Sequence, residues 1–275
     1  MSEYKLAVLG QPIAHSRSPE IHGAFARQAG ISINYEKIEI KAGDFNNIAK
    51  RLVREGYRGF NITLPCKRDA YLFATSCSDT AAACEAVNTI TMMKDGLTRG
   101  DNTDGPGLVR DLTTNLGWQI KDMRVLVLGA GGAVRGVVPD LLAALPVSIH
   151  IFNRTYQRAN IIAQNIADVR VQAVQKNQLE ESYDLVINGT SAGLSAPMTD
   201  NALLPEFAIG QQTRCYDMIY GSSITTFNQW FRQISGGDIA DGLGMLVEQA
   251  ALSFRHWFSK EVETAPVIAA LRKSL

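Results

Sequence analysis

The chain has 275 residues, with 27 Lys+Arg balanced by 27 Asp+Glu for a formal net charge of zero. At about 150 residues per domain this length predicts two domains. The charge balance excludes a broad nucleic-acid or anionic-membrane surface, which needs surplus cations, while 46% hydrophobic and 20% charged residues is the composition of a core-forming globular chain.

Residues 5–9 read as a strand and 19–29 as a helix stopped at Gly30, with Ser18 as its cap and Pro19 as its first residue. A second strand follows around 35–40. Asp44 is placed to cap a helix that carries Ile48, Leu52 and Val53 on one side and stops at Gly56. Next come a strand at 59–63, a helix near 80–86, and a hairpin whose arms flank Asp95-Gly96. This alternation predicts a mainly parallel sheet covered by helices. After a helical stretch at 105–116 the pattern restarts. Arg124–Leu128 is a continuous apolar strand, followed at once by a glycine cluster and a helix that ends before Pro146. Strands fit at Ser148–Phe152, 170–174, 185–188 and 215–218, and runs apolar throughout are buried on both faces, as in a doubly wound sheet. Helices at Leu243–Phe258 and after Pro266 close the chain.

No apolar run reaches the ~20 residues of a spanning helix, and the opening MSEYKLAVLG lacks the apolar stretch of a signal peptide. Cys66, Cys77, Cys84 and Cys215 form no C-x-x-C pair, which predicts free thiols in a reducing cytoplasm. His15, His22, His150 and His256 are scattered, so no metal site is expected; His15 adjoins the Ser16–Ser18 loop and could touch a substrate there.

The glycine cluster is Gly129-Ala130-Gly131-Gly132-Ala133, set between a buried strand and a helix. Gly129 permits the tight turn, and Gly131 lets the backbone approach a pyrophosphate. The helix N-terminus supplies free N–H donors and partial positive charge. The third glycine position of such a turn holds Val134, which predicts a slightly wider helix–strand spacing, offset by Gly132 and Gly136. The next strand ends 24 residues after Gly129, where an acidic residue usually holds the ribose hydroxyls of NAD. Asn153-Arg154-Thr155 stands there instead, with Arg158 one helical turn past Arg154. No carboxylate repels a 2′-phosphate and two guanidiniums can grip it, which points to NADP(H).

Three further segments gather polar residues where strands end. Ser16-Arg17-Ser18-Pro19-Glu20 reads either as helix initiation or as a small-anion site built from two serines and helix-terminal N–H groups. Asn61-Ile62-Thr63-Leu64-Pro65-Cys66-Lys67 leaves a buried strand, turns at a proline and presents a lysine. Asn102-Thr103-Asp104-Gly105 stands at the expected domain boundary.

With Ala86-Val87-Asn88-Thr89 and Asp241-Gly242-Leu243-Gly244-Met245-Leu246-Val247-Glu248-Gln249-Ala250, these motifs in this order resemble the shikimate dehydrogenase family over nearly the whole chain. The resemblance implies an α/β protein of two domains. One is an N-terminal α/β substrate domain, residues 1–105 plus 242–275. The other is a Rossmann-type doubly wound parallel sheet of residues 106–241 that binds NADP(H). It also implies interconversion of 3-dehydroshikimate and shikimate, within aromatic amino-acid (chorismate) biosynthesis. By the same resemblance Ser16 and Ser18 hold the substrate carboxylate, and Thr63, Asn88 and Gln249 join Lys67 and Asp104 around the ring hydroxyls and reacting oxygen. Gly129 to Ala133 cradle the pyrophosphate, and Asn153, Arg154, Thr155 and Arg158 bind the 2′-phosphate. Thr190, Ser191, Met218 and Tyr220 line the cofactor cleft, Tyr220 also counting among the substrate contacts, and the backbone of Gly242 meets the nicotinamide amide. One departure is Cys66, where the family more often has an aromatic residue; this alters the packing beneath Lys67 or makes the site thiol-sensitive.

The chemistry so implied delivers hydride to a carbonyl carbon while charge builds on its oxygen. Lys67 is the expected proton donor and Asp104 the group that positions it. Free lysine titrates near 10.4; burial would lower that value and a neighbouring carboxylate would raise it, so acid–base and electrostatic-clamp roles both stay open. Rival readings are a relative acting on quinate or aminoshikimate and a non-enzymatic NADP(H)-sensing protein. The cytoplasm is the expected location, and monomer or homodimer the expected state.

Overall fold

The computed structural model describes residues 3–41, 43–180, 182–190 and 206–275. The chain divides into two units, Met1–Gly107 with Leu246–Ala270, and Leu108–Met245 with Leu271–Leu275.

In the first unit the elements run β1 (Tyr4–Gly10), α1 (Ser18–Ala29), β2 (Ile33–Glu39), α2 (Phe45–Arg54), β3 (Gly59–Ile62), α3 (Lys67–Phe73), β4 (Ser76–Cys77), α4 (Asp79–Cys84), β5 (Thr89–Met92) and β6 (Thr98–Asp101), and α5 (Asp104–Arg110) begins here. The six strands form one sheet in the order β2-β1-β3-β5-β6-β4. β1 pairs parallel with β2 and β3, but β3 with β5 and β5 with β6 are antiparallel. β4 with β6 is parallel too, so three of the five pairings are parallel, and the antiparallel ones are those of β5, an arm of the expected hairpin. The short link at Asp95-Gly96 joins neighbouring strands, and a link that short joins only antiparallel ones. Ala7, Leu9, Phe60, Ile62 and Ile90 pack with Phe45, Ala49 and Leu52 of α2, so of the expected apolar side Leu52 is fully buried and Ile48 packs at the edge.

Two helix starts differ from expectation. Arg17, not Ser18, caps α1, and its carbonyl accepts the Ile21 N–H at 3.1 Å. That N–H is therefore spent, and Ser16 Oγ instead receives the Ser18 N–H at 3.3 Å. Asp44 does precede α2, but its side chain makes no cap bond.

In the second unit β7 (Arg124–Leu128), α6 (Gly132–Ala143), β8 (Ser148–Phe152), α7 (Tyr156–Ile166), β9 (Val171–Val174), β10 (Tyr183–Asn188), β11 (Ile209–Asp217), α8 (Thr226–Phe231) and β12 (Ile239–Asp241) follow in turn. The final helices are α9 (Leu243–Phe258) and α10 (Ala265–Ser274). All pairings in this sheet are parallel, in the order β12-β11-β10-β7-β8-β9, the Rossmann arrangement. Alternate residues of β7 serve its two faces. Val125 and Val127 pack with Val134, Val137 and Leu141 of α6, while Leu126 and Leu128 pack with Phe227 and Phe231 of α8. Both faces are covered, which is why the strand reads as unbroken apolar sequence. Among the described residues no helix is long and apolar enough to cross a membrane.

Candidate functional site

In the first unit Lys67 and Asp104 are each the first residue of a short helix, α3 and α5. Asp104 gains there from the positive end of the helix dipole, and its N–H is held by Asn102 Oδ1 at 3.1 Å. The Lys67 ammonium bonds to Asp104 Oδ2, with 16% of the lysine and 11% of the aspartate side chain exposed. That exposure leaves the pair reachable from solvent while removing most of the water that would screen it.

The other carboxylate oxygen is set by Asn88, whose Nδ2 donates to Asp104 Oδ1 at 2.8 Å and to Thr103 Oγ1 at 3.0 Å. Asn88 Oδ1 accepts from the Thr103 N–H at 2.9 Å. Gln249, on α9, receives Thr103 Oγ1–H at 3.4 Å on Oε1 and donates from Nε2 to Leu246 O at 2.7 Å. Lys67, Asp104, Asn88 and Gln249 are thus brought into one hydrogen-bonded group. Ser16 and Ser18 lie together at the start of α1, with Oγ atoms 3.2 Å apart, and the Tyr35 hydroxyl sits beside Ser18. Thr63 directly follows β3, its N–H on Leu9 O at 2.8 Å. His15 is exposed.

Cys66 is 1% exposed and packs with Ala7, Phe60 and Ile62. Burial pushes its thiol up from the ordinary range, making it a poor nucleophile. It serves as a small apolar member of that core, next in sequence to Lys67.

Reading these motifs one residue at a time misses Thr89, Thr103 and Ser253. The signal for Ser253 is its spacing, four residues after Gln249 and so on the same helical face; its Oγ donates back to Gln249 O at 3.0 Å.

In the second unit the glycine turn has the geometry expected of it. Gly129 adopts φ +102°, open to glycine and costly for other residues, and its N–H bonds to Phe152 O at 2.8 Å. That bond sets the end of β8, with Asn153-Arg154-Thr155, beside the turn. Val134, at the third position of the turn, is fully buried against the sheet. Gly189 makes room for it, since a Cβ at 189 would lie 2.4 Å from Val134 Cγ2.

The residues fit a dinucleotide phosphate group. A Cβ at Gly131 or Gly132 would meet nothing within 4 Å, so the loop faces open space. The N-terminus of α6 has no side-chain cap, leaving its N–H groups for an anion. Arg154, Thr155 and Arg158 are exposed, and no carboxylate pairs with either arginine among the described residues. Asn153 Nδ2 holds Thr155 O at 2.8 Å, which shapes the start of α7.

Thr190, Met218 and Gly242 gather past the ends of β10, β11 and β12. Thr190 Oγ1 donates to Asn188 Oδ1 at 2.7 Å, the Met218 N–H to Asn188 O at 2.9 Å, and the Gly242 N–H to Ile219 O at 3.1 Å. Tyr220 is half-buried in the same run. Ser191 lies outside the described residues. Asn188 Nδ2 ties this group to the buried Asp217 at 3.0 Å, a carboxyl raised above its usual range by burial.

Of the other histidines, His22 is fully buried and bonded to Asn61, and His150 bonds to the Tyr183 hydroxyl at 2.7 Å. Among the described residues no three His, Cys, Asp or Glu side chains are grouped to hold a metal ion.

A parallel sheet in Rossmann order with an open, uncapped glycine turn, and a lysine–carboxylate centre on an α/β unit of its own, define a two-domain dinucleotide-binding oxidoreductase. The family profiles named shikimate dehydrogenase substrate binding domain, shikimate / quinate 5-dehydrogenase and shikimate 5′-dehydrogenase C-terminal domain match residues 8–90, 111–203 and 242–272. A shikimate dehydrogenase (NADP(+)) of Alkalilimnicola ehrlichii is 46% identical over 269 residues, covering 98% of both chains. The crystal structure of an Ael1 enzyme from Pseudomonas putida superposes with TM-score 0.92 at 37% identity, covering 98% of both chains. That of shikimate 5-dehydrogenase from Thermus thermophilus, in complex with NADP(H) and shikimate, does so with TM-score 0.88 at 32% identity, covering 99% of this chain and 100% of the other. The chain belongs to the shikimate dehydrogenase family.

Proposed function

We propose that the chain catalyses the reversible NADPH-dependent reduction of 3-dehydroshikimate to shikimate, an oxidoreductase step at a CH–OH group in aromatic biosynthesis. The observation that carries the reading is the Lys67–Asp104 pair, mostly buried and cross-braced by Asn88 in the unit that matches the substrate-binding profile.

When bound, NADPH supplies the hydride. Lys67 provides a proton at Nζ to the oxygen on which negative charge develops and stabilises that charge until transfer. Asp104 keeps the ammonium in place through Oδ2. Ser16 and Ser18, with hydroxyls 3.2 Å apart at a helix start, hold the ring carboxylate. Thr63, Gln249, Asn88 and Tyr220 take the ring hydroxyls. Gly129, Ala130, Gly131, Gly132 and Ala133 hold the pyrophosphate. The exposed guanidiniums of Arg154 and Arg158, with Asn153 and Thr155, hold the 2′-phosphate by charge-assisted hydrogen bonds. Thr190, Met218 and Gly242 receive the nicotinamide end.

The test follows reduced-nicotinamide absorbance with shikimate and with quinate, each offered NADP and NAD in turn. Turnover with shikimate and NADP well above the other three combinations is expected. No turnover of shikimate with either cofactor overturns the reading, and faster turnover of quinate moves the chain to the quinate branch.

A further inference from the structure

The Lys67–Asp104 pair is one end of a buried line of hydrogen bonds, and what the imidazole and amide groups can give or accept sets the direction of their links. Asn61 Oδ1 only accepts, so His22 presents Nε2–H to it at 3.1 Å and Tyr35 donates its hydroxyl to the same oxygen at 2.7 Å. The His22 lone pair then lies on Nδ1, which is buried and has no partner among the described residues. Burial holds this imidazole down to about 3, so the neutral tautomer is the one present near neutrality. With its carbonyl occupied, the Asn61 amide donates onward to Ser253 Oγ at 3.0 Å and Thr89 Oγ1 at 3.2 Å. Thr89 Oγ1 lies 2.7 Å from Ser253 Oγ and 2.9 Å from Asn88 Oδ1. Asn88 Oδ1 and Gln249 O can only accept, so the two hydroxyl protons of Thr89 and Ser253 serve these two acceptors and the short contact between the hydroxyls. Asn88 Nδ2 donates to Asp104 Oδ1 at 2.8 Å. The donors whose direction is fixed, His22 Nε2–H, the Asn61 amide and Asn88 Nδ2, point along the line toward Asp104.

Bonds arranged head to tail polarise one another, and a chain whose positive ends face a carboxylate favours its charge and its orientation. The members are also dry: His22, Thr89 and Ser253 are 0% exposed, Asn88 2% and Asn61 6%. Water therefore cannot replace a lost link, and a missing hydroxyl leaves a buried partner unsatisfied. We infer that the line His22–Asn61–Ser253–Thr89–Asn88 positions the Asp104 carboxylate against Lys67 for turnover, which makes Thr89 and Ser253 positioning residues for the reaction. The inference rests on the reading of Lys67–Asp104 as the reacting pair. A role confined to packing would require only shape at these positions, since valine matches threonine in volume.

Thr89→Val, Thr89→Ser, Ser253→Ala and Lys67→Ala separate the possibilities by steady-state kinetics with shikimate and NADP, alongside thermal unfolding. Thr89→Val is expected to lower kcat about tenfold, the effect of one buried hydrogen bond, with KM for NADP within about twofold of the parent. Thr89→Ser restores most of that kcat, and Ser253→Ala lowers kcat in the same direction. A parental kcat in Thr89→Val, or an equal loss in Thr89→Ser, overturns the inference. If Thr89→Val does not fold, a parental kcat in folded Ser253→Ala overturns it equally. Loss of activity in Lys67→Ala with none in Thr89→Val or Ser253→Ala removes the line alone. Full activity in Lys67→Ala removes the reacting pair and with it the reading of the site.

Discussion

Val134 occupies the space that a side chain at Gly189 would need, its Cγ2 standing 2.4 Å from where a Cβ at 189 would be. The valine at the third position of the turn is accommodated by a glycine on the neighbouring strand's exit. Gly189→Ala is therefore expected to destabilise the protein by about 1–3 kcal/mol through overpacking. Val134→Ala in the same chain should recover part of that loss. Urea unfolding of the two variants and the double variant checks it. Additive losses in the double variant would show that the two side chains do not compete for one space.

Lys67→Ala is expected to lower kcat by at least about 100-fold, the scale of a positioned acid or base. KM for NADP should move little, since Lys67 belongs to the unit that carries the substrate motifs. Steady-state kinetics in both directions reads the split, and a kcat near the parent's would take the proton-donor role away from Lys67.

Arg154→Gln and Arg158→Gln should each raise KM for NADPH about tenfold or more, the worth of a charge-assisted pair with a phosphate. KM for NADH, which has no 2′-phosphate, should stay close to the parent's value. Equal changes with both cofactors would mean the arginines act on the shared part of the dinucleotide.

Asp140, on α6, has a buried Oδ2 with no partner among the described residues, and burial pushes its carboxyl up to about 6. Between the ordinary carboxylate value and about 6 the folded chain holds a proton that the unfolded chain has released, so stability falls as pH rises through that window. At neutral pH the ionised group costs about 1–3 kcal/mol. Asp140→Asn should raise Tm at pH 7–8 and lose its advantage near pH 4. Tm differences that do not change with pH would contradict the assignment.

The elements legible in sequence are those whose burial is regular. Arg124–Leu128 and Ser148–Phe152 were read to the residue because both faces of those strands are covered and their interior positions are almost all apolar. Leu243–Phe258 was equally plain from its long apolar stripe. The short helices Lys67–Phe73 and Thr226–Phe231 and the edge strand Ile239–Asp241 were not read, since too few turns or residues set up a period. Only the last part of Ile209–Asp217 was recognised. Its first residues, Gly210-Gln211-Gln212, are polar, and the pairing with Tyr183–Asn188 shifts register just there, so no alternation survives.

For the candidate site, the residue types that carry charge and the glycine turn stand out in the chain itself, because chemistry and backbone conformation restrict which residues can serve. Their company does not. Asn61, Thr89, Thr103 and Ser253 look like unremarkable polar residues along the sequence and become one hydrogen-bonded line only when β3, β5, the 102–103 turn and α9 are folded together. Hydrophobic periodicity reports how much of a residue is covered. Which buried donor meets which buried acceptor depends on distances of about 3 Å between segments far apart in the chain, and only the three-dimensional packing supplies those.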